Sequence, residues 1–510
     1  MIYHLKDLLN GFEVDCDVVV IGSGAGGAVA AENFSKGGLK TVLLEAGPRV
    51  EPGDMTRDAP KFLAKYFWDG GQRLVGGTVP SPSMAGRCLG GSTVMNSAIM
   101  YKLPAYVREE WANESNLSFL KSDAIDRAYE RIFKKLKVTD TPMQVQGKRN
   151  LATKTALEVM GIRGNPLPRA VHNCHGTADC LTGCFGGHKQ SVDRALLPGA
   201  LESGCDIYTC AQVEKLLVDN DRVSGVEGFV IEPISYEKKH QFRVNAKLVI
   251  MAAGAVNTPH ILLKSGIHSN HTIGKTFASH IGGGVISKYE EDMQPWVGAT
   301  QGWGAMPEEL PGLKFESLWA PTSVMTVKFP GIGVEYLKNL ADIKKSTVTA
   351  LLYRGRVFGS VKKAPGNKPA VNLYIPQSEI MPIMHGLKIA ADGHLKTGAV
   401  SVFTSIGGIG SFKSTSETDY LLSGKIKARD LGMTLNHIFC SCPMSMAPGK
   451  GSVDYTGRVR GMKNLYICDA SIFPSPSGVN PQATIMALSD MISRRLAEYD
   501  NHGLDQAIVV

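Results

Sequence analysis

Residues 17–47 read DVVVIGSGAGGAVAAENFSKGGLKTVLLEAG, and no other stretch narrows the choice of fold as far. DVVVIG is a short β-branched run of the kind that forms a buried parallel strand. Gly22, Gly24 and Gly27 then complete a G-x-G-x-x-G pattern. AVAAENFSK has helical composition, GG ends it, and TVLLEAG is a second strand closing on Glu45. Gly22 permits the tight turn, Gly24 lets the backbone approach a pyrophosphate, and Gly27 lets the helix lie against the strand. The helix start offers free N–H groups and the positive end of its dipole to phosphate. Glu45, eighteen residues after Gly27, is placed to accept from a ribose hydroxyl. The unit therefore predicts a dinucleotide site. Its position at the start of the chain favours a tightly held FAD over an exchangeable NAD.

A chain of 510 residues is too long for a single core and predicts a multidomain α/β protein. Its 43% hydrophobic and 20% charged residues are ordinary for a globular protein, and the 56 glycines predict many tight turns. The net charge of +8 is mild for this length and gives no reason to expect nucleic acid as a partner. No apolar run approaches the length of a membrane span. The start MIYHLKDLLNGFEVDCD has no apolar signal core, so an intracellular, cytoplasmic chain is expected, without an integral membrane segment. Apart from Cys174, Cys180 and Cys184, several of the ten cysteines lie in apolar strand-like runs, as reduced core residues do.

Three further segments are informative. GRCLGGSTVMNSAIMYKLP (86–104) is a second glycine-rich stretch. VIMAAGAVNTPHILLKSGI (249–267) reads as a strand, a glycine turn and a helix begun by Pro259. HIFCSCPM (437–444) precedes NLYICDASIFPSPSGVNPQATIMALSDMISRRL (464–496), a strand, a loop and a final helix starting at Pro481. With these in order, the chain resembles the glucose–methanol–choline family of FAD oxidoreductases. RCLGGSTVMN is similar to its first signature and GAVNTPHILLKSGI to its second. GVNPQATIMAL resembles the branch that holds cholesterol oxidases, and KFESLWAPTSVMTVKFPGIGVEYL (314–337) resembles long-chain alcohol oxidases.

The resemblance implies a Rossmann-like FAD-binding domain from residues 1–105, 186–285 and 432–510. It implies a substrate domain from 106–185 and 286–431, with an antiparallel sheet and helices. Runs such as KPAVNLYI and AVSVFTSI agree with short strands there. It further implies oxidation of an alcohol CH–OH group, with hydride passing to flavin N5. His437 is the expected base, and Asn480 the group that holds the substrate oxygen, since a carboxamide cannot act as a base. Asn480, standing before Pro481, is also a plausible helix cap. Gly91, Ser92 and Asn96 are expected near the isoalloxazine and Val213 at the adenine. Asp469 is expected at the ribityl or phosphate region, and Pro481 at the start of a helix aimed at the ring. Met95 stands where some members carry a flavin-linking His, which predicts non-covalent FAD.

CHGTADCLTGCFGGHK (174–189), in the Cys-rich loop 172–189, places Cys174, Cys180 and Cys184 at C-x5-C-x3-C spacing. Three thiolates can hold a 3Fe–4S cluster. Zinc would need a fourth ligand from His172, His175 or His188. Structural thiols are the remaining reading. The spacing is similar to that of the catalytic subunit of bacterial FAD-dependent glucose dehydrogenases, where a cluster feeds a cytochrome subunit. Gly187 and Lys189 match the ending of the corresponding run in alcohol oxidases. The expectation is thus an FAD-dependent alcohol dehydrogenase acting on an alcohol, sterol or sugar. Electrons would pass through the cluster to a cytochrome or small partner subunit, and the chain could reach the periplasm or a membrane with that partner. An oxygen-using alcohol oxidase without a cluster, or a non-redox flavoprotein, is the alternative.

Overall fold

The strand Phe12–Ile21 is the axis of the main sheet. It pairs in parallel with Thr41–Leu44 on one side and with Lys238–Met251 on the other. Asp206–Tyr208 and Ile2–Tyr3 extend the first side, and Leu465–Ile467 pairs in parallel with the end of Lys238–Met251. Arg222–Ile231 and Ala211–Asp219 add an antiparallel edge, giving eight strands in all. The computed structural model describes residues 1–500. Val18, Val19 and Val20 are wholly buried, on both faces of their strand, which explains why this segment is continuously apolar and not alternating.

One face is covered by the helix Ala25–Lys36, which packs on the last helix, Gln482–Asp500. The contact is close because Ser489 Oγ donates to the Gly26 carbonyl at 2.7 Å. Asn33 Nδ2 also donates to Ser493 Oγ at 2.9 Å. Both ends of the described chain thereby close over one nucleotide-binding sheet. The helices Ala105–Glu114 and Ala124–Lys135 pack into this same core through Trp111 and Tyr129, although they fall in the segment expected to belong with the substrate side. Ala124–Lys135 packs on the last helix and Trp111 stacks on Phe473, so packing and not chain position decides their place.

A second sheet has six antiparallel strands in the order Ser401–Thr404, Ile281–Lys288, Ser346–Tyr353, Leu313–Ser317, Trp303–Ala305 and Asn165–Pro166. The helix Ile380–Lys396 buries Ile383, Met384, Leu387 and Ala391 against it, at helical spacing. Truncating one such residue to Ala costs about 2–5 kcal/mol. A smaller mixed sheet pairs Phe358–Lys363 with Pro369–Tyr374, and the latter with Arg73–Gly77. This is the antiparallel layer with helices that the short alternating runs predict. Among the described residues no helix is long and apolar enough to cross a membrane.

Pro259 does not begin its helix. The helix runs Gly254–Lys264 with the proline inside. Proline has no N–H to give the carbonyl four residues back, that of Ala255. Ser441 Oγ replaces the missing donor, reaching the Ala255 carbonyl at 2.6 Å. A residue from the segment carrying His437 thus repairs the helix that carries the family's second signature.

Candidate active site

The first glycine loop is built as the pattern requires. Gly22 has φ +100°, and a Cβ there would lie 2.3 Å from the Ala252 carbonyl oxygen. A Cβ on Gly27 would lie 1.8 Å from the Gly22 oxygen. Gly24 instead faces open space, with nothing within 4 Å of where its Cβ would stand. That is the cradle a pyrophosphate needs. Glu45 directly follows the strand Thr41–Leu44, but its carboxylate is already engaged: it accepts from Ser23 N at 3.0 Å, Ser23 Oγ at 2.6 Å and Gly47 N at 2.9 Å. Ser23 Oγ in turn accepts from Gly90 N at 2.9 Å, tying the two glycine-rich segments together. Burial raises the Glu45 pKa, against these hydrogen bonds.

A cavity of about 870 Å³ opens from this loop. Gly22, Gly24, Glu45, Gly91, Ser92, Asn96, Val213, Asp469 and Pro481 all line it, and so do His437 and Asn480. Asn96 Nδ2 donates to Gln482 Oε1 at 2.8 Å, and Ser92 Oγ accepts from Gly86 N at 2.9 Å. Asp469 accepts from Gly254 N at 2.9 Å and from Thr258 Oγ1 at 2.5 Å, fixing the start of the helix Gly254–Lys264. Burial raises its pKa. Met95 is buried beside the same space. The residues fit an extended dinucleotide cofactor: an open phosphate cradle at one end, and an imidazole and a carboxamide at the other.

His437 and Asn480 are 43 positions apart, and Asn480 Nδ2 lies 3.3 Å from His437 Nε2. Asn480 does not act as a helix cap. Its Oδ1 accepts from the buried ammonium of Lys314, which also lies 2.5 Å from Glu316. With the oxygen so held, the carboxamide presents its NH2 to His437. The other face of His437 meets His280, Nδ1 to Nδ1 at 3.1 Å. His280 Nε2 accepts from Gly478 N at 3.0 Å, so in its neutral form His280 carries its proton on Nδ1, facing His437. Burial lowers the His437 pKa to about 4; Glu316 opposes the shift and Lys314 adds to it. Burial and the neighbouring His437 hold His280 well below the ordinary imidazole range. Both rings are neutral near pH 7. His280, Lys314, Glu316 and Ser23 carry no local sequence signal; only the tertiary contacts bring them in.

The expected cluster is not seen: among the described residues no three His, Cys, Asp or Glu side chains gather as a metal-holding group, Cys174, Cys180 and Cys184 included. The Arg169 guanidinium takes the place beside them, with Nη2 3.0 Å from Cys180 Sγ and Nη1 4.0 Å from Cys174 Sγ. His175 and His188 stack on each other, with ring centroids 4.0 Å apart. Burial raises the Cys180 pKa, but Arg169 and Lys189 outweigh it and the net shift is downward. Lys189 Nζ donates to the carbonyls of Cys180 at 2.7 Å and Asn96 at 3.0 Å, and to that of Val94. The loop is therefore a brace behind the second glycine-rich segment.

A βαβ phosphate cradle and a neutral imidazole–carboxamide pair opening on one cavity define a flavin-dependent oxidoreductase. Two family models described as GMC oxidoreductase match residues 17–282 and 354–489, and the chain belongs to that family. An uncharacterized GMC-type oxidoreductase of Mycobacterium tuberculosis is 30% identical over 93% of this chain and 74% of its own length. A long-chain-alcohol oxidase of Arabidopsis thaliana is 26% identical over 97% of this chain and 69% of its own. Among solved structures, pyridoxine 4-oxidase from Mesorbium loti superposes with a TM-score of 0.71 at 16% identity, covering 94% of this chain and 99% of that one. A formate oxidase from Aspergillus oryzae gives 0.70 at 13%, covering 97% and 99%. These last two are similar in fold.

Proposed function

We propose that the protein oxidises the CH–OH group of an apolar alcohol, with His437 taking the hydroxyl proton and Asn480 donating to the substrate oxygen. The carrying observation is the 3.3 Å approach of these two side chains in the cavity that also holds the phosphate cradle. FAD, held non-covalently along Gly22, Gly24, Gly91, Ser92, Val213 and Asp469, supplies the two-electron acceptor when bound. Asn480 orients the oxygen because Lys314 leaves only its NH2 free to face it. His437, partly exposed on the cavity wall, acts as base in the tautomer that carries its proton on Nδ1 and leaves Nε2 free for the hydroxyl. Leu318, Val324, Met325, Ile286 and Val348 line the cavity and favour an apolar chain over a sugar. The A. thaliana relative, a long-chain-alcohol oxidase, agrees with that substrate class. The division into an FAD-binding and a substrate domain is part of this reading.

A second reading is favoured by the Gly478–His280 bond. If His280 donates to His437 Nδ1, the His437 proton lies on Nε2. His437 and Asn480 are then two donors for a developing alkoxide, and the Glu316 carboxylate, which also lines the cavity, takes the proton. Anaerobic flavin bleaching by a panel of long and short alcohols tests the function. His437→Gln against Glu316→Gln separates the readings: the base is the residue whose loss slows bleaching by about 10²–10⁴-fold.

Since the cysteines do not converge, dioxygen is the favoured acceptor over an iron–sulfur relay. Peroxide formed with substrate in air, from protein without stoichiometric iron, is the expected result. Iron near three per chain would restore the relay to an external carrier.

A further inference from the structure

Between two strands of the second sheet the chain leaves the cavity wall and makes an excursion over residues 321–345. Pro321, Val324 and Met325 line the cavity, and Lys328 at its rim donates to Thr434 Oγ1 at 2.8 Å. Beyond that rim, Val327 is 74% exposed, Ile332 92%, Val334 69% and Leu337 63%. Four large apolar side chains so exposed within eleven residues are a patch, unlike the scattered single residues normal on a surface.

The excursion is structured. Tyr336 Oη donates to the Thr326 carbonyl at 3.2 Å, and Asn339 Nδ2 to that of Pro330 at 3.0 Å. The helix Val334–Ala341 turns Tyr336 and Leu340 inward onto a cluster with Trp319, Met325 and Phe329. Its other side carries Val334 and Leu337, with Ile332 just before it. A helix apolar on two sides has a cover for both. The inner cover is the protein. The outer one is bordered by Lys338 and Lys344, which make no ion pair among the described residues; Lys345 lies 3.9 Å from Glu290, Asp342 is taken by Lys288, and Glu335 stands in the first turn of the same helix.

We propose that residues 327–345 dock this protein, as a peripheral protein, on a lipid bilayer surface bearing anionic headgroups. Ile332, Val334 and Leu337 enter the acyl boundary, and the lysines meet the headgroups. The cavity wall at 321–328 then continues directly into the docked patch, so an apolar alcohol dissolved in the bilayer reaches the site without crossing water. That last consequence rests on the substrate class proposed above; the docking itself does not.

The test is co-sedimentation of the FAD-loaded protein with phosphatidylcholine vesicles, with and without phosphatidylglycerol. Wild type is expected to pellet with the phosphatidylglycerol vesicles. Ile332→Asp/Leu337→Asp, checked for flavin content and melting temperature, is expected to lose binding about tenfold or more, with turnover of a short water-soluble alcohol unchanged. Lys344→Ala/Lys345→Ala should reduce binding to the anionic vesicles alone. Wild type staying in the supernatant with both vesicles overturns the proposal. So does a wild-type dimer that the aspartate variant splits, which would make a second copy the cover. Vesicle binding without turnover of any alcohol would sink the functional reading and leave the docking standing.

Discussion

Lys314 holds the carboxamide of Asn480 by its oxygen, and that single contact decides which end of the amide meets His437 and the cavity. The ammonium is buried, and burial lowers its pKa against the pull of Glu316. Lys314→Met should free the amide to turn and leave Glu316 alone. Breaking one side of a buried pair costs about 3–5 kcal/mol. Lys314→Met/Glu316→Leu should recover most of that in thermal melts, yet the flavin should still be reduced more slowly than in wild type. Full recovery of rate in the double variant would show that Lys314 acts through stability alone.

The buried imidazoles set an acid limit on stability. His437 keeps its neutral form down to about pH 4, and His394 to about pH 3, through burial; His280 shifts the same way. In the unfolded chain these rings take a proton near pH 6.5. Between those values the unfolded state binds more protons, so stability rises with pH across the window and is lost as pH falls through it. Denaturant melts should therefore show no contribution from these groups above about pH 7 and a steep loss below about pH 6. The low pKa of His437 should also let flavin reduction persist well below the ordinary imidazole range. A rate that falls away with an apparent pKa near 6.5 would count against His437 as the group that must be neutral.

Ser441 and Pro259 should behave as a coupled pair. Ser441→Ala leaves the Ala255 carbonyl without the donor that replaces the missing proline N–H, at a cost of about 1–3 kcal/mol. Pro259→Ala restores an N–H at that position. The double variant should thus melt above Ser441→Ala. Additive losses would mean that the serine acts elsewhere.

The glycines of the first loop should separate folding from cofactor retention. Gly27→Ala drives a methyl into the Gly22 carbonyl and should give little folded protein. Gly24→Val sets its Cβ where no protein atom lies within 4 Å and should fold, with its side chain in the phosphate cradle. Its visible flavin absorbance per chain should fall while its circular dichroism stays that of wild type. Normal flavin content in Gly24→Val would place the pyrophosphate elsewhere.

Much of this was legible in the chain. The strand–loop–helix–strand at residues 17–47 is local, so the tight turn at Gly22 and the close approach at Gly27 could be read from it. The antiparallel layer was legible from its alternating runs. Three details were not. Asn480 was expected to cap a helix as well as meet substrate, because Asn before Pro has that local preference; a lysine from the second sheet outcompetes it. That Trp111 and Tyr129, in the segment 106–185, pack into the core of the first sheet was not legible, because chain position says nothing about which core an amphipathic helix will join. The cysteine spacing suggested a metal, but spacing does not show that an arginine five residues before Cys174 lies between the thiols and any shared centre.

By itself the sequence determined the nucleotide-binding βαβ unit and the family. Those depend on turn geometry and close backbone approach, which neighbouring residues control. Only the tertiary structure decided the surroundings of His437 and Asn480, with His280 on one side and Lys314 and Glu316 on the other, and set a guanidinium among the thiols. Charge, tautomer and amide orientation are set by whatever lies within a hydrogen bond in space, and the partners of His437 and Asn480, His280 and Lys314, come from strands and loops more than a hundred residues away.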